Sequence, residues 1–288
     1  MAKQYSLAYL TVSGCSPLEM IRIAARTGYD FVSLRLIPMG VPGEVPFPIG
    51  DKEMIRKIGI AFAETGVGLL DLELARIVED VEPRTYLPAM EIAAEWGARH
   101  VISSAWTTTR DNRNFVIDRY AEICDLAKPL GLSVSLEFPS FSRLTNLQEA
   151  ADIVQAADRS NGGILLDTLY FHFSQVRVEE LEELPIDWIH FLHVCDAPTK
   201  IPADRSGMVN AARDERLYFG EGCVDFSSIL KRIPQVPMSI ELPHAARIKE
   251  FGHEEHARRC LQTARQHLDH LATRNVPVIH DSKVSYGH

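Results

Sequence analysis

The stretch Gly131-Leu132-Ser133-Val134-Ser135-Leu136-Glu137-Phe138-Pro139 decides how the chain is read. Its glycine ends a helical segment, Arg113–Leu130, in the manner of a C′ residue. A nearly continuous apolar run of strand length follows, and it closes on one acid and a proline. The same unit recurs in both directions. Strand-length runs are expected at Ser6–Val12, Phe31–Leu36, Gly68–Leu74, His100–Ala105, Ser133–Phe138, Gly163–Leu169, Ile189–Cys195 and Pro237–Leu242. Between them lie helical patterns, the first opening with the capping box Ser16-Pro17-Leu18-Glu19 and ending near Gly28. Others cover about Lys52–Thr65, Arg84–Trp96, Arg113–Leu130, Leu147–Asp158, Val178–Leu184, Phe226–Ile233 and His253–Leu271.

Strands that are apolar along their whole length are buried on both faces, which is the habit of parallel sheets covered by helices. Eight such units without a break in composition predict one α/β domain, a closed (β/α)8 barrel over residues 1–274. Residues 275–288 read as a C-terminal extension. Two connections are long, Pro38–Gly50 and Asp196–Val224, and both should lie over the same mouth of the barrel.

The chain has 288 residues, 46% hydrophobic and 24% charged, with a formal net charge of -9. That balance argues against nucleic acid and anionic membranes as partners and favours a small molecule. No signal-peptide layout and no bilayer-length apolar segment is visible, and the five cysteines are scattered without C-x-x-C spacing. A cytoplasmic protein with reduced thiols is the expectation. Barrels of this kind frequently pair, so a homo-oligomer is compatible with the sequence. The nucleotide-binding patterns G-x-G-x-x-G and G-x-x-x-x-G-K-[ST] and the G-x-S-x-G elbow are absent from the chain.

Four consecutive strands each end on one ionisable side chain: Glu137, Asp167, His193 and Glu241. In barrel enzymes the C-terminal strand ends carry the chemistry. Three carboxylates converging there would repel one another and lose hydration, and a divalent cation relieves both costs. One metal ion is therefore expected; three oxygen ligands and an imidazole suit Mn²⁺, Mg²⁺, Co²⁺ or Zn²⁺, and ligand identity alone does not choose among them. Arg35 and Glu73 end two earlier strands and are expected at the mouth, or else as an ion pair filling the barrel end. Trp106 is a candidate apolar wall or a core residue, and Asp196 is read as orienting His193 or touching the substrate. His244 and Arg247 are candidate anion contacts or part of a solvated loop. The stretch Gly252-His253-Glu254-Glu255-His256 fails the H-E-x-x-H spacing and reads as a solvated helix face.

The marks Leu136-Glu137, Leu166-Asp167-Thr168, His193-Val194-Cys195-Asp196, Gly220-Glu221-Gly222 with Asp225-Phe226, and Ile240-Glu241 resemble the xylose isomerase-like sugar phosphate isomerases and epimerases. The resemblance runs from Tyr5 to about Leu271. It implies a xylose isomerase-like barrel in which Glu137, Asp167, His193 and Glu241 hold the metal. It also implies that Glu137 and Glu241 lie on opposite faces of the substrate and shuttle protons. Arg216 stands where the family often has an arginine that holds a substrate hydroxyl or carboxylate. Many members carry a histidine three residues after the aspartate; this chain has Tyr170 there and His172 two positions on, which leaves the substrate contact between them open.

The resemblance implies proton abstraction beside a carbonyl in a sugar, sugar acid or related polyol ketone, giving isomerisation or epimerisation. Loss of a β-hydroxyl would turn the same first step into dehydration of a cyclic ketone such as 3-dehydroshikimate or an inosose. An endonuclease IV-like phosphodiesterase shares the barrel but needs three zinc ions and further histidines, where the early strand ends offer Arg35 and Glu73. A non-catalytic binding barrel has no use for two glutamates so placed.

Overall fold

The computed structural model describes residues 2–40, 44, 45, 47, 49–108 and 112–274. The expected extension at 275–288 lies outside the described residues, as do 41–43, 46 and 48 of the first long connection. Eight parallel strands close into a barrel in chain order: β1 Tyr5–Leu7, β2 Phe31–Arg35, β3 Gly68–Ile77, β4 His100–Ala105, β5 Ser133–Glu137, β6 Gly162–Asp167, β7 Ile189–Val194 and β8 Met238–Ile240. The ladder closes where Ser6 pairs with Ser239 and Leu7 with Ile240. Around it stand α1 Pro17–Thr27, α2 Lys52–Thr65, α3 Leu87–Glu95, α4 Arg113–Ala127, α5 Leu147–Ala157, α6 Thr168–Phe173, α7 Arg205–Asp214, α8 Phe226–Leu230, α9 Ala245–Phe251 and α10 His253–Leu268. Among the described residues no helix is long and apolar enough to cross a membrane.

Helix starts follow the local chemistry. The Ser16 side chain accepts the Glu19 N–H and the Glu19 carboxylate accepts the Ser16 N–H, a reciprocal cap contributing about 0.5–2 kcal/mol. Asp51 and Asn146 cap α2 and α5 in the same sense. Most of the apolar side chains form one core between strands and helices, while Phe31, Leu70, Leu74, Ile102, Leu165 and Phe191 form a second, smaller cluster.

Several expectations change, among them the helix expected at Val178–Leu184, which is a 3₁₀ turn over Val178–Glu182. The run Ser6–Val12 is not one strand: β1 stops at Leu7, and Tyr9–Val12 turns into a 3₁₀ helix, with Thr11 donating to the Ile240 carbonyl. The run Gly163–Leu169 likewise stops at Asp167, whose carboxylate accepts the Leu169 and Tyr170 N–H groups and starts α6. Both continuations are buried, and a short buried run is apolar whether it is strand or helix. The connection Asp196–Val224 contains α7, capped by Asp204, where Asp-Arg-Ser-Gly reads as a turn.

Candidate metal centre

The strand ends of β5, β6, β7 and β8 bring Glu137, Asp167, His193 and Glu241 together. One ligand atom from each lies within 4.8 Å of all the others, and every one of these residues is buried. His193 Nδ1 is 3.3 Å from Glu137 Oε1, 3.4 Å from Glu241 Oε2 and 4.0 Å from Asp167 Oδ2. These contacts lack hydrogen-bond geometry, so Glu137 Oε1 and both ring nitrogens of His193 are buried without partners. Among the described residues the four form the one group of three or more candidate ligands.

Arg216 closes the cluster from behind. It is fully buried, its Nη1 2.7 Å from Asp167 Oδ2 and its Nη2 2.7 Å from Glu241 Oε2. Its Nη2 is also 3.4 Å from the Tyr170 hydroxyl, and its Nε donates to the Ala212 carbonyl.

The residues fit a divalent ion on three counts. Glu137 Oε1 and His193 Nδ1 are buried without partners 3.3 Å apart, and an unfilled buried acceptor costs about 1–3 kcal/mol. Three carboxylates against the Arg216 guanidinium leave two negative charges, the charge of one such cation. Ligands at the usual ~2.1 Å from a four-coordinate ion stand about 3.4 Å apart, matching the His193 contacts.

Electrostatics separate the two glutamates. Burial raises Glu137 to about 7, with His193 opposing the shift. Burial works against ionisation of Glu241 too, but His193 and Arg216 outweigh it and hold that carboxyl well below its ordinary value. Asp167 is raised by burial, with Arg216 pulling the other way. Burial would depress His193, yet the Glu241 and Glu137 carboxylates prevail and hold it well above the ordinary histidine value. A cation held in their midst would take over the role of that proton.

Above the cluster opens a cavity of about 350 Å³, lined in part by Glu137, His193, Glu241, Tyr170, Arg35, Glu73 and Trp106. Arg35 and Glu73 are there and also paired, Nη2 to Oε2 at 2.6 Å. Trp106 donates to the Ser104 hydroxyl and packs against Phe141, which meets the Tyr170 ring edge-on at 5.7 Å. Other candidates lie elsewhere. Arg216 and Asp167 sit beneath the lining. His172 lines a separate cavity, its Nε2 3.0 Å from the Pro198 carbonyl and 3.6 Å from Cys223 Sγ. Asp196 anchors the Gly220-Glu221-Gly222 turn: its carboxylate accepts N–H groups of Ala197, Gly220, Gly222 and Val224. A side chain at position 222 would collide with Asp196 and the Ala197 carbonyl, so glycine is required there.

His244 and Arg247 do not line the cavity; Arg247 pairs with Glu221 at 2.8 Å and lies over the Tyr218 ring. The expected solvated face at Gly252–His256 is corrected at its end. His256 is fully buried, Nδ1 bonded to the Tyr218 hydroxyl and Nε2 to the Leu242 carbonyl.

Two acids escaped the sequence reading. Asp71 is fully buried on β3, paired with the Ser33 hydroxyl and raised to about 8 by burial, with His193 as the main opposing neighbour. Its signal, an acid inside an apolar run, is the one that marked the four ligands. Glu44 lines the cavity from the Pro38–Gly50 connection, where no periodicity announces it.

A closed parallel barrel with four ligand-type side chains on consecutive strand ends defines a class of barrels with a candidate metal site at the mouth. The chain belongs to the xylose isomerase-like TIM barrel family, whose pattern matches residues 21–267. An inosose isomerase of Bacillus subtilis (strain 168) is 24% identical over 160 residues, 52% of this chain and 54% of that protein. An inosose isomerase of Halalkalibacterium halodurans is 30% identical over 114 residues, 38% of this chain and 37% of that protein. The match thus spans about half, or less, of these curated relatives. Among solved structures, the IolI protein with a bound zinc atom superposes with a TM-score of 0.75 at 20% identity, covering 91% of this chain and 97% of that one. D-allulose 3-epimerase from Methylomonas sp., in complex with D-allulose, superposes with a TM-score of 0.69 at 16% identity, covering 92% and 97%. These two likenesses describe the fold.

Proposed function

We propose that this chain is a divalent-metal-dependent isomerase or epimerase of a sugar, sugar acid or related polyol ketone. The observation that carries the reading is the buried cluster of Glu137, Asp167, His193 and Glu241 at the base of the cavity, with both glutamates on its lining. The names of the relatives, inosose isomerase and D-allulose 3-epimerase, support it, and the zinc atom of the IolI protein supports a divalent ion without choosing Mn²⁺ over Zn²⁺, Co²⁺ or Mg²⁺.

The four residues would hold the ion, which when bound supplies the polarisation of a carbonyl and its neighbouring hydroxyl. The chain's own groups do the rest. One of Glu137 and Glu241 removes the proton from the carbon beside the carbonyl. The other returns a proton on the opposite face, or at the adjacent carbon. Their environments push their proton affinities apart, the condition under which two like acids take different roles. Arg216 fixes the orientation of Glu241 and Asp167 through its two short bonds. Trp106, Phe141 and Tyr170 wall the cavity and limit water around the reacting carbon.

The test is incubation with Mn²⁺ and a panel of ketoses, keto sugar acids and cyclic polyol ketones in deuterated water, followed by NMR. Deuterium at the carbon beside the carbonyl with an isomeric product is expected. A dehydrated product would move the assignment to a lyase sharing the first step. Absence of exchange across the panel in metal-loaded protein would sink both.

A further inference from the structure

Above the ligand cluster the cavity carries a second set of charges that the proton transfer leaves unused. Arg35, at the end of β2, is bracketed by two acids: Glu73 Oε2 lies 2.6 Å from its Nη2 and Glu44 Oε1 lies 3.8 Å from its Nη1. All three side chains are buried, with exposures of 6% for Arg35 and 4% for each glutamate. The guanidinium also lies 4.4 Å from the centre of the Tyr9 ring. Glu44 is fixed in place by the N–H groups of Met39 and Gly40, the latter at 2.7 Å. The remaining charged lining residues away from the ligands, Arg213 and Asp214, are exposed at the end of α7 and offset one another.

Among the described lining residues this upper region therefore has one more negative charge than positive. Below it, three ligand carboxylates are balanced by Arg216 and a divalent cation. Among the described lining residues a phosphate or carboxylate finds no unmatched cation, and it faces two buried acids. Neither His244 nor Arg247 lines this cavity, and Arg247 is paired with Glu221 at 2.8 Å. What the cavity does offer is hydrogen bonding. Arg35 lines it with a fork of N–H donors whose charge Glu44 and Glu73 match, so this arginine has donors to give and no spare charge. Trp106 and Phe141 provide apolar wall for the C–H faces of a ring or chain.

We propose that the cavity takes an uncharged polyhydroxy ketone, and that Arg35, neutralised by Glu44 and Glu73, reads hydroxyl oxygens and turns away phosphates and carboxylates. This rests on the function proposed above and narrows its substrate class, excluding the sugar acids. Within the cyclic ketones it separates an inosose, which is uncharged, from 3-dehydroshikimate, which carries a carboxylate.

The experiment is calorimetric binding to the metal-loaded chain of two matched pairs: an inosose beside 3-dehydroshikimate, and D-fructose beside D-fructose 6-phosphate. One uncompensated charge at partly buried range is a difference of about tenfold or more, so the uncharged member should bind at least about tenfold tighter in at least one pair. In Glu44→Gln/Glu73→Gln, freeing Arg35 should shrink or reverse that gap by about tenfold. Glu44→Gln alone, which keeps the short Arg35–Glu73 bond, should move it in the same direction if the double variant fails to fold. Tighter binding of the anionic members, no binding of either uncharged member, or a gap unchanged in the folded variants would overturn the proposal. Metal content and deuterium exchange, measured on the same samples, report separately on the proposed function. An anion preference with one ion per chain and intact exchange sinks this inference alone.

Discussion

Both ends of the barrel draw histidines out of water, half-buried at one end and buried at the other, and they treat them oppositely. At the N-terminal end, His100 Nδ1 is 2.6 Å from the Ser133 hydroxyl and His190 Nδ1 is 2.9 Å from that of Ser135, while the two rings stack at 5.5 Å. Burial lowers them to about 3 and about 4, respectively. They are neutral groups satisfied by neighbouring side chains. At the C-terminal end, His193 is surrounded by carboxylates, raised instead of lowered, and has no hydrogen-bond partner on either nitrogen. Desolvation acts at both ends, so it marks neither as functional. What distinguishes the mouth is the convergence of four ligand-type side chains, with both His193 nitrogens and one Glu137 oxygen left without partners.

That contrast can be broken in several places. The largest effect is expected from Glu137→Gln or Glu241→Gln, each of which should lower kcat by about 10²–10⁴-fold in a folded barrel. Wild-type turnover in either variant, on an established substrate, would remove the two-base mechanism. Arg216→Met leaves Asp167 and Glu241 buried without their cation and should cost about 3–5 kcal/mol in urea denaturation of the metal-free chain. Added divalent ion should recover part of that loss, because it supplies the missing charge. A loss below ~1 kcal/mol would mean the cluster is not under the strain of charge described here.

The N-terminal end predicts a different readout. His100 and His190 have folded values below their ordinary 6.5, so the unfolded chain binds more protons between about pH 6.5 and about pH 4. Stability contributed by these two is present above that window and is lost as pH falls through it. His190→Gln should flatten the decline in urea midpoint from about pH 7 to about pH 4.5 while leaving metal content unchanged. An equal decline in both proteins would assign the acid sensitivity elsewhere. The smallest effect is expected from Trp106→Ala, a rise in KM of about two- to tenfold with kcat nearly kept. A fall in kcat alone would make Trp106 more than a wall.

Much of this was legible in the residues. Alternating strand-length runs and helical patterns led to the barrel because parallel strands covered on both faces leave that trace. Glu137, Asp167, His193 and Glu241 stood out because each is one ionisable group at the end of an apolar run. Asp71 carries the same signal, but it lies in the middle of the run Gly68–Leu74, and a second acid, Glu73, stands nearer its end. Glu44 and Tyr9 were hidden for another reason. They reach the cavity from a loop and a 3₁₀ turn, where position in sequence says nothing of direction. His172 lies on α6 directly after Asp167, yet that helix carries it away to the Pro198 carbonyl.

The central claim is that the buried cluster is completed by one divalent ion. Its most direct test is elemental analysis of the purified chain beside a Glu137→Ala/Asp167→Ala variant. The account predicts about one Mn, Co, Zn or Mg per chain in the first and none in the second. Three zinc ions per chain, or no metal in either protein after reconstitution, would contradict it.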